Sequence, residues 1–153
     1  MEKNQGVKLP FSGKLQVGVV VKDLDKTIEY FSSLGIGPFE PLQRPPMVER
    51  RVRGKPADYK LKIALAQLGQ LQLELIQPVQ GECVQNEFLE SKGEGVHHLG
   101  IFVDDLEKEV AELDRQGVKV IQSGRRATGD GFAYLDTSAI GGITIELIQW
   151  SSK

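Results

Sequence analysis

The chain is poor in the residues that most often carry chemistry. It holds one cysteine and two histidines in 153 residues. A single thiol, Cys83, excludes an internal disulfide, and no histidine or basic residue close in sequence would activate it as a nucleophile. No apolar run is long enough to cross a membrane. Neither sign of charge dominates. Nineteen basic against 21 acidic residues leave a net charge of -2, so nothing general draws the chain to nucleic acid or to an acidic membrane surface. The opening residues, MEKNQGVKLPFSGK, are polar and lack the apolar core of a secretion signal, and with one cysteine this makes a cytoplasmic location the expectation. The composition, 40% hydrophobic and 26% charged, is that of a globular protein, and the length fits one domain, residues 1–153, with its own core.

Scarcity makes position informative. Both histidines stand side by side in GVHHLGIFVDDL, Gly95 to Leu106, at the mouth of an apolar run. That run has a counterpart earlier in the chain. LQVGVVVKDLDKTIEYFSSLGI (15–36) aligns without a gap with HHLGIFVDDLEKEVAELDRQGV (97–118) at a shift of 82 residues, and GQLQLELIQ (69–77) aligns with GGITIELIQ (141–149) at a shift of 72. Gly18 meets Gly100, Asp23 meets Asp105 and Gly35 meets Gly117. The chain is two related halves, the first about ten residues longer in its middle.

Each half reads as a β-α-β-β-β unit. A β-branched run opens it, Gln16 to Val21 or His98 to Val103. Asp23 or Asp105 follows as a helix N-cap, and Leu24, Ile28, Phe31 and Leu34, or Leu106, Val110 and Leu113, fall at helical spacing. Gly35 and Gly117 end the helices. Further strands are expected at Met47–Arg53, Lys60–Gln67 and Leu71–Ile76 in the first half, and at Lys119–Gln122, Phe132–Asp136 and Ile143–Ile148 in the second. Pro45-Pro46 reads as a turn. The modules span about 14–79 and 96–150, with a linker over about 80–95 and a short helical turn near Asn86–Ser91. The class is α+β.

Strand alternation places His98, Gly100 and Phe102 on one face, with Leu99, Ile101 and Val103 on the other. By the same alternation His97 belongs to the outer side, as a structural residue. The repeat puts Gln16 at the position of His98 and Glu74 at that of Glu146. Four polar side chains, Gln16, Glu74, His98 and Glu146, therefore sit at two pairs of equivalent positions and converge if the two sheets curl together. An imidazole nitrogen, two carboxylates and an amide oxygen suit a divalent ion such as zinc, nickel, cobalt or manganese. Carboxylates buried in apolar strands are costly without a cation or water beside them, which strengthens the same reading.

The stretches LQVGVVVKDLDKTIEYF, GVHHLGIFVDDLEKEV and GGITIELIQ resemble the vicinal oxygen chelate superfamily, which includes glyoxalase I, methylmalonyl-CoA epimerase, fosfomycin- and bleomycin-resistance proteins and extradiol dioxygenases. The resemblance runs from about Leu15 to Gln149. It implies paired modules in a cupped, barrel-like mixed sheet with helices outside, metal ligands at Gln16, Glu74, His98 and Glu146, and common homodimers. NEFLESKGEGVHHLGIFVDDL is most like an epimerase. Epimerases usually carry histidine in the first strand and glutamine at the end of the first module, where this chain has Gln16 and Glu74; its Gln, Glu, His, Glu set is that of eukaryotic-type glyoxalase I. Gln16 also argues against the two-histidine iron site of ring-cleaving relatives. The implied activity is proton abstraction next to a carbonyl, with Glu74 and Glu146 as catalytic acid and base, on a small carbonyl or thioester substrate. Glu49 is the near candidate for the extra carboxylate that epimerases use. Arg44, Arg50, Arg51, Arg53, Arg125 and Arg126 are candidates for a substrate's anionic tail. The alternatives are a metal-free ligand-sequestering protein of the bleomycin-resistance type and an enzyme of the same fold acting on another substrate.

Overall fold

The computed structural model describes residues 13–43 and 46–150. In chain order its elements are β1 (Leu15–Val20), α1 (Leu24–Ser33), β2 (Glu40–Pro41), β3 (Glu49–Val52), β4 (Lys55–Pro56), β5 (Lys60–Leu68), β6 (Leu71–Gln80), α2 (Val84–Lys92), β7 (Gly95–Phe102), α3 (Leu106–Arg115), β8 (Val120–Arg125), β9 (Gly131–Leu135) and β10 (Thr144–Gln149).

The repeat is visible in the smallest contacts. The Asp23 carboxylate caps α1 by accepting from the Lys26 N–H, and Asp105 caps α3 through the Lys108 N–H. Each helix start has a second acceptor from the end of its own module. Gln77 Oε1 accepts from the Leu24 N–H at 2.9 Å, and Gln149 Oε1 accepts from the Leu106 N–H at 2.9 Å. At the other end Gly35 and Gly117 adopt φ of +82° and +85°, which lets the Ile36 and Val118 N–H groups fold back onto the Phe31 and Leu113 carbonyls. Capping at both ends fixes where each helix leaves its sheet and where it returns.

All ten strands form one curved sheet in the order β2-β5-β6-β1-β7-β10-β9-β8-β3-β4. Within each half the first and last strands are parallel, β1 with β6 and β7 with β10. The halves join where β1 and β7 pair antiparallel. Helix α1 covers one half through Val21, Leu24, Ala64, Leu73 and Leu75, and α3 covers the other through Val103, Leu106, Ala133, Leu135 and Leu147. Of these, Ala64, Leu73 and Leu75, and Ala133, Leu135 and Leu147, occupy the helix-facing side of their strands. The opposite, concave side is left to Gln16, Glu74, His98 and Glu146.

One expected strand lies elsewhere in the sheet. The segment read as Met47–Arg53 in the first half's sheet forms β3, makes a hairpin with β4, and pairs with β8 of the second half. The fourth strand of the first half's sheet is instead the two-residue β2 on β5. The ten extra residues of the first half are thus an arm that crosses to the other module. Between β6, which runs on to Gln80, and β7, which begins at Gly95, α2 fills Val84–Lys92 and is longer than the short turn expected near Asn86–Ser91. Arg44 and Pro45 lie outside the described residues.

Candidate metal centre

The four polar residues read from the repeat meet. They stand on β1, β6, β7 and β10, the four neighbouring central strands, and all are buried. His98 Nε2 lies 3.2 Å from Gln16 Oε1, 3.3 Å from Glu74 Oε1 and 3.0 Å from Glu146 Oε2. Ligand atoms of Glu74, His98 and Glu146 all fall within 4.8 Å of one another. One chain supplies the whole set.

Glycine makes the approach possible. Gln16 pairs with Gly100 and Gly18 pairs with His98 across the β1/β7 seam. A Cβ on Gly18 would lie 1.9 Å from His98 Cε1, and one on Gly100 would lie 2.9 Å from Gln16 Oε1. Each polar side chain therefore lies over the bare backbone of the partner strand, and the two glycines are themselves repeat-equivalent.

Neighbours set the direction of the ligand atoms. Gln16 Nε2 donates to Gln72 Oε1 at 2.7 Å, which turns Gln16 Oε1 toward His98. His98 Nδ1 lies 3.0 Å from His97 Nδ1. His97 is not on the outer side as alternation requires. The β1/β7 register slips between Gly18 and Val19, so that Gly18 faces His98 and Val19 faces Val96. His97 is the extra residue of that bulge, and its ring turns inward against Phe88 and Tyr134. Burial, helped by the neighbouring His98 charge, pushes the His97 pKa down to about 3. A neutral His97 accepts from His98 Nδ1–H and leaves Nε2 aimed at the carboxylates. For His98 burial pulls the pKa down, but Glu146 and Glu74 outweigh it and raise it to about 9. The carboxylates thus favour a positive charge at this point.

The donor set fits a divalent cation. Two carboxylates balance its charge, an imidazole and an amide oxygen complete a borderline-to-hard ligand group, and all four point at one small volume. A cavity of about 260 Å³ opens beside them, lined by Glu74 and Glu146 and by Met47, Arg50, Gln85 and Tyr134 among others.

The remaining candidates separate. Glu49 is exposed and bound to Arg51, whose hydrogen bond and charge hold its pKa below the usual carboxylate range. It does not line the cavity, because its β3 neighbour Arg50 takes the inward position. Arg53 is bound to Glu87, Arg125 to Glu107 and Arg126 to Asp130. Cys83 is buried, and burial pushes its thiol up and away from reactivity. Sequence reasoning missed Gln72, Gln85 and Gln122. Gln72 was reachable, since it lies two residues before Glu74 on the same face. The other two follow only from tertiary packing.

The family model for the glyoxalase/bleomycin resistance protein/dioxygenase superfamily matches residues 15–135. Among curated proteins, the uncharacterized protein YqjC of Bacillus subtilis is 31% identical over 94 residues, covering 60% of this chain and 67% of that protein. The mitochondrial methylmalonyl-CoA epimerase of Bos taurus is 26% identical over 137 residues, 87% of this chain and 71% of that protein. Among solved structures, methylmalonyl-CoA epimerase from Mycobacterium tuberculosis superposes with a TM-score of 0.67 at 24% identity, covering 97% of this chain and 94% of that one. A duplicated module, a seam of paired first strands and a family match over most of the chain agree, and the chain belongs to the glyoxalase/bleomycin resistance protein/dioxygenase superfamily.

Proposed function

We propose that this protein is a metal-dependent enzyme that moves a proton at the carbon next to a carbonyl, in the manner of an epimerase or a glyoxalase. The observation that carries this reading is the buried convergence of Gln16, Glu74, His98 and Glu146 at the edge of a cavity. These four residues hold the ion. When bound, a divalent cation supplies Lewis-acid stabilisation of negative charge on a carbonyl oxygen.

The chain's own groups do the rest. Glu74 and Glu146 come from equivalent positions in opposite halves and both line the cavity. Their carboxylates therefore reach a small substrate from two directions. One takes the proton from carbon, and the C–H electron pair moves toward the carbonyl. The other delivers a proton that it has drawn from solvent, to the opposite face of the same carbon for an epimerisation or to the adjacent carbon for an isomerisation, and the first then releases the proton it took. Among the cavity-lining residues no third carboxylate competes for either task. Tyr134 and Phe132 wall the site and limit water at the reacting carbon.

The test has three parts: metal content of the purified protein, parallel assays with methylmalonyl-CoA and with the methylglyoxal–glutathione hemithioacetal, and exchange of the substrate's α-hydrogen in deuterated water. One metal per chain is expected, with exchange lost in Glu146→Gln. A protein that carries no stoichiometric metal and binds its ligand unaltered by Glu146→Gln would instead be a sequestering protein. Metal-dependent exchange on neither test substrate would place the activity on another carbonyl compound.

A further inference from the structure

The start of α2 forms one wall of the cavity and carries a donor with nothing to donate to. Cys83, the N-cap of α2, makes no side-chain cap, so the Val84 backbone N–H needs an acceptor from elsewhere. Gln122 of β8 provides it, accepting from the Val84 N–H through Oε1 at 2.8 Å. A backbone N–H can only donate, and this fixes the Gln122 amide. Its Nε2 donates in turn to Gln85 Oε1 at 3.0 Å, which fixes the Gln85 amide as well. Gln85 Nε2 ends the relay. It is buried and has no hydrogen-bond partner among the described residues. Gln85 lines the cavity, whereas Gln122 does not. One backbone group thus dictates, through two amides, that this wall presents an N–H and not an oxygen.

The sheet register says what stands opposite. Glu146 of β10 pairs with Tyr134 of β9, and Tyr134 pairs with Gln122 of β8. The three form one row on one face, with Glu146 and Gln122 two strands, or about 10 Å, apart. Gln85 carries the Gln122 end of that row into the cavity, across Tyr134 from Glu146. Ionised, Glu74 and Glu146 only accept. A ligand seated beside them brings oxygen of its own, and Gln85 is a neutral donor placed to meet it. A hydrogen bond to an oxyanion is about twice as strong as one to a neutral carbonyl. Such a donor favours the state in which charge has moved onto oxygen, and being held by the relay it needs no reorganisation to do so.

We propose that Gln85 is a further catalytic residue, whose Nε2–H donates to the substrate oxygen that gains charge as the proton leaves carbon, and that Gln122 positions it. This rests on the reading of the four-residue cluster as a metal centre. As the C–H bond breaks, its proton goes to a carboxylate. Its electron pair forms a C=C bond, and the carbonyl π pair moves onto oxygen. Gln85 keeps its hydrogen throughout and only shares it. The charge leaves the oxygen when carbon takes up a proton again, and nothing is oxidised or reduced.

Two small metal ligands separate this role from a packing effect. Acetohydroxamate brings a planar pair of vicinal oxygens and binds metals as an anion. Imidazole binds metals through nitrogen and offers no acceptor. Each is titrated calorimetrically into the zinc-loaded protein, with zinc content and circular dichroism measured for every variant. Gln85→Leu should weaken acetohydroxamate about tenfold or more and leave imidazole within about twofold. Gln122→Glu should weaken acetohydroxamate from outside the cavity. Its carboxylate accepts from the Val84 N–H and from Gln85 Nε2–H, so Gln85 turns its oxygen to the ligand. If that variant does not fold, Gln85→Leu carries the test. Equal acetohydroxamate affinity in wild type and Gln85→Leu, or equal weakening of both ligands, overturns the donor and leaves the metal centre standing. Failure of acetohydroxamate to bind the zinc-loaded wild type does the same. A wild type that holds no stoichiometric zinc overturns the metal centre itself.

Discussion

At the scale of single residues, Gly18 and Gly100 decide whether the site exists. Both are pressed from above by a polar side chain, but by different parts of it. A methyl on Gly18 meets the rigid His98 ring at 1.9 Å, while a methyl on Gly100 meets Ile148 Cδ1 at 2.8 Å and Gln16 Cβ and Oε1 at 2.9 Å, contacts about 1 Å longer and two of them with flexible side-chain ends. Gly18→Ala should cost about 1–3 kcal/mol in denaturant unfolding and abolish metal uptake; Gly100→Ala should cost less and only weaken it. Equal effects would mean that the ring has room to move. His97→Phe is a third test. Phenylalanine keeps the contacts with Phe88 and Tyr134 but removes the acceptor for His98 Nδ1–H, so metal affinity should drop about 10- to 100-fold, and the buried donor left unmet should cost about 1–3 kcal/mol in stability. The placement of Gln16, Glu74, His98 and Glu146 on one face was legible in the sequence, because β1, β10 and the part of β6 around Glu74 keep their alternation. The inward turn of His97 was not. A bulge adds one residue without any local marker, and it reverses the parity on which such arguments depend.

At the scale of elements, the repeat was readable because each copy repeats its own capping chemistry. Asp23 and Asp105, Gly35 and Gly117, and Gln77 and Gln149 each do the same job at the same place. The arm was harder. β3 has few residues, is half exposed and pairs with a strand some seventy residues away in sequence, so only the tertiary fold selects β8 as its partner. An external tie holds the arm to α2, where the two terminal nitrogens of the Arg53 guanidinium donate to the Glu87 carboxylate at 2.7 and 2.8 Å. The pair is about half exposed, so a double-mutant cycle with Arg53→Gln and Glu87→Gln should give only about 0.2–1 kcal/mol at neutral pH. Its pH dependence has a definite sign. Arg53 lowers the Glu87 pKa in the folded chain, so the coupling is fully present above the ordinary carboxylate range and disappears as acid protonates Glu87. A coupling that grew toward low pH would show that Glu87 is held by something else.

For the whole molecule, the position of the proposed metal centre matters more than its composition. Gln16 and Glu74 belong to one half, His98 and Glu146 to the other, and the seam between β1 and β7 runs through the middle of the set. The arm adds a second crossing at β3 and β8. Neither half can leave without breaking both, so thermal unfolding should be a single transition, with calorimetric and van't Hoff enthalpies in agreement. A cation held from both sides stabilises only the joined form. At a hundred times its dissociation constant it should add about 2.7 kcal/mol, which for a chain of this size raises Tm by roughly 5–10 °C. Chelation should reverse the rise, and Glu146→Gln should remove most of it. Two resolved transitions, with metal shifting only one, would mean that the ion is held within one half and that the convergence across the seam is not what binds it.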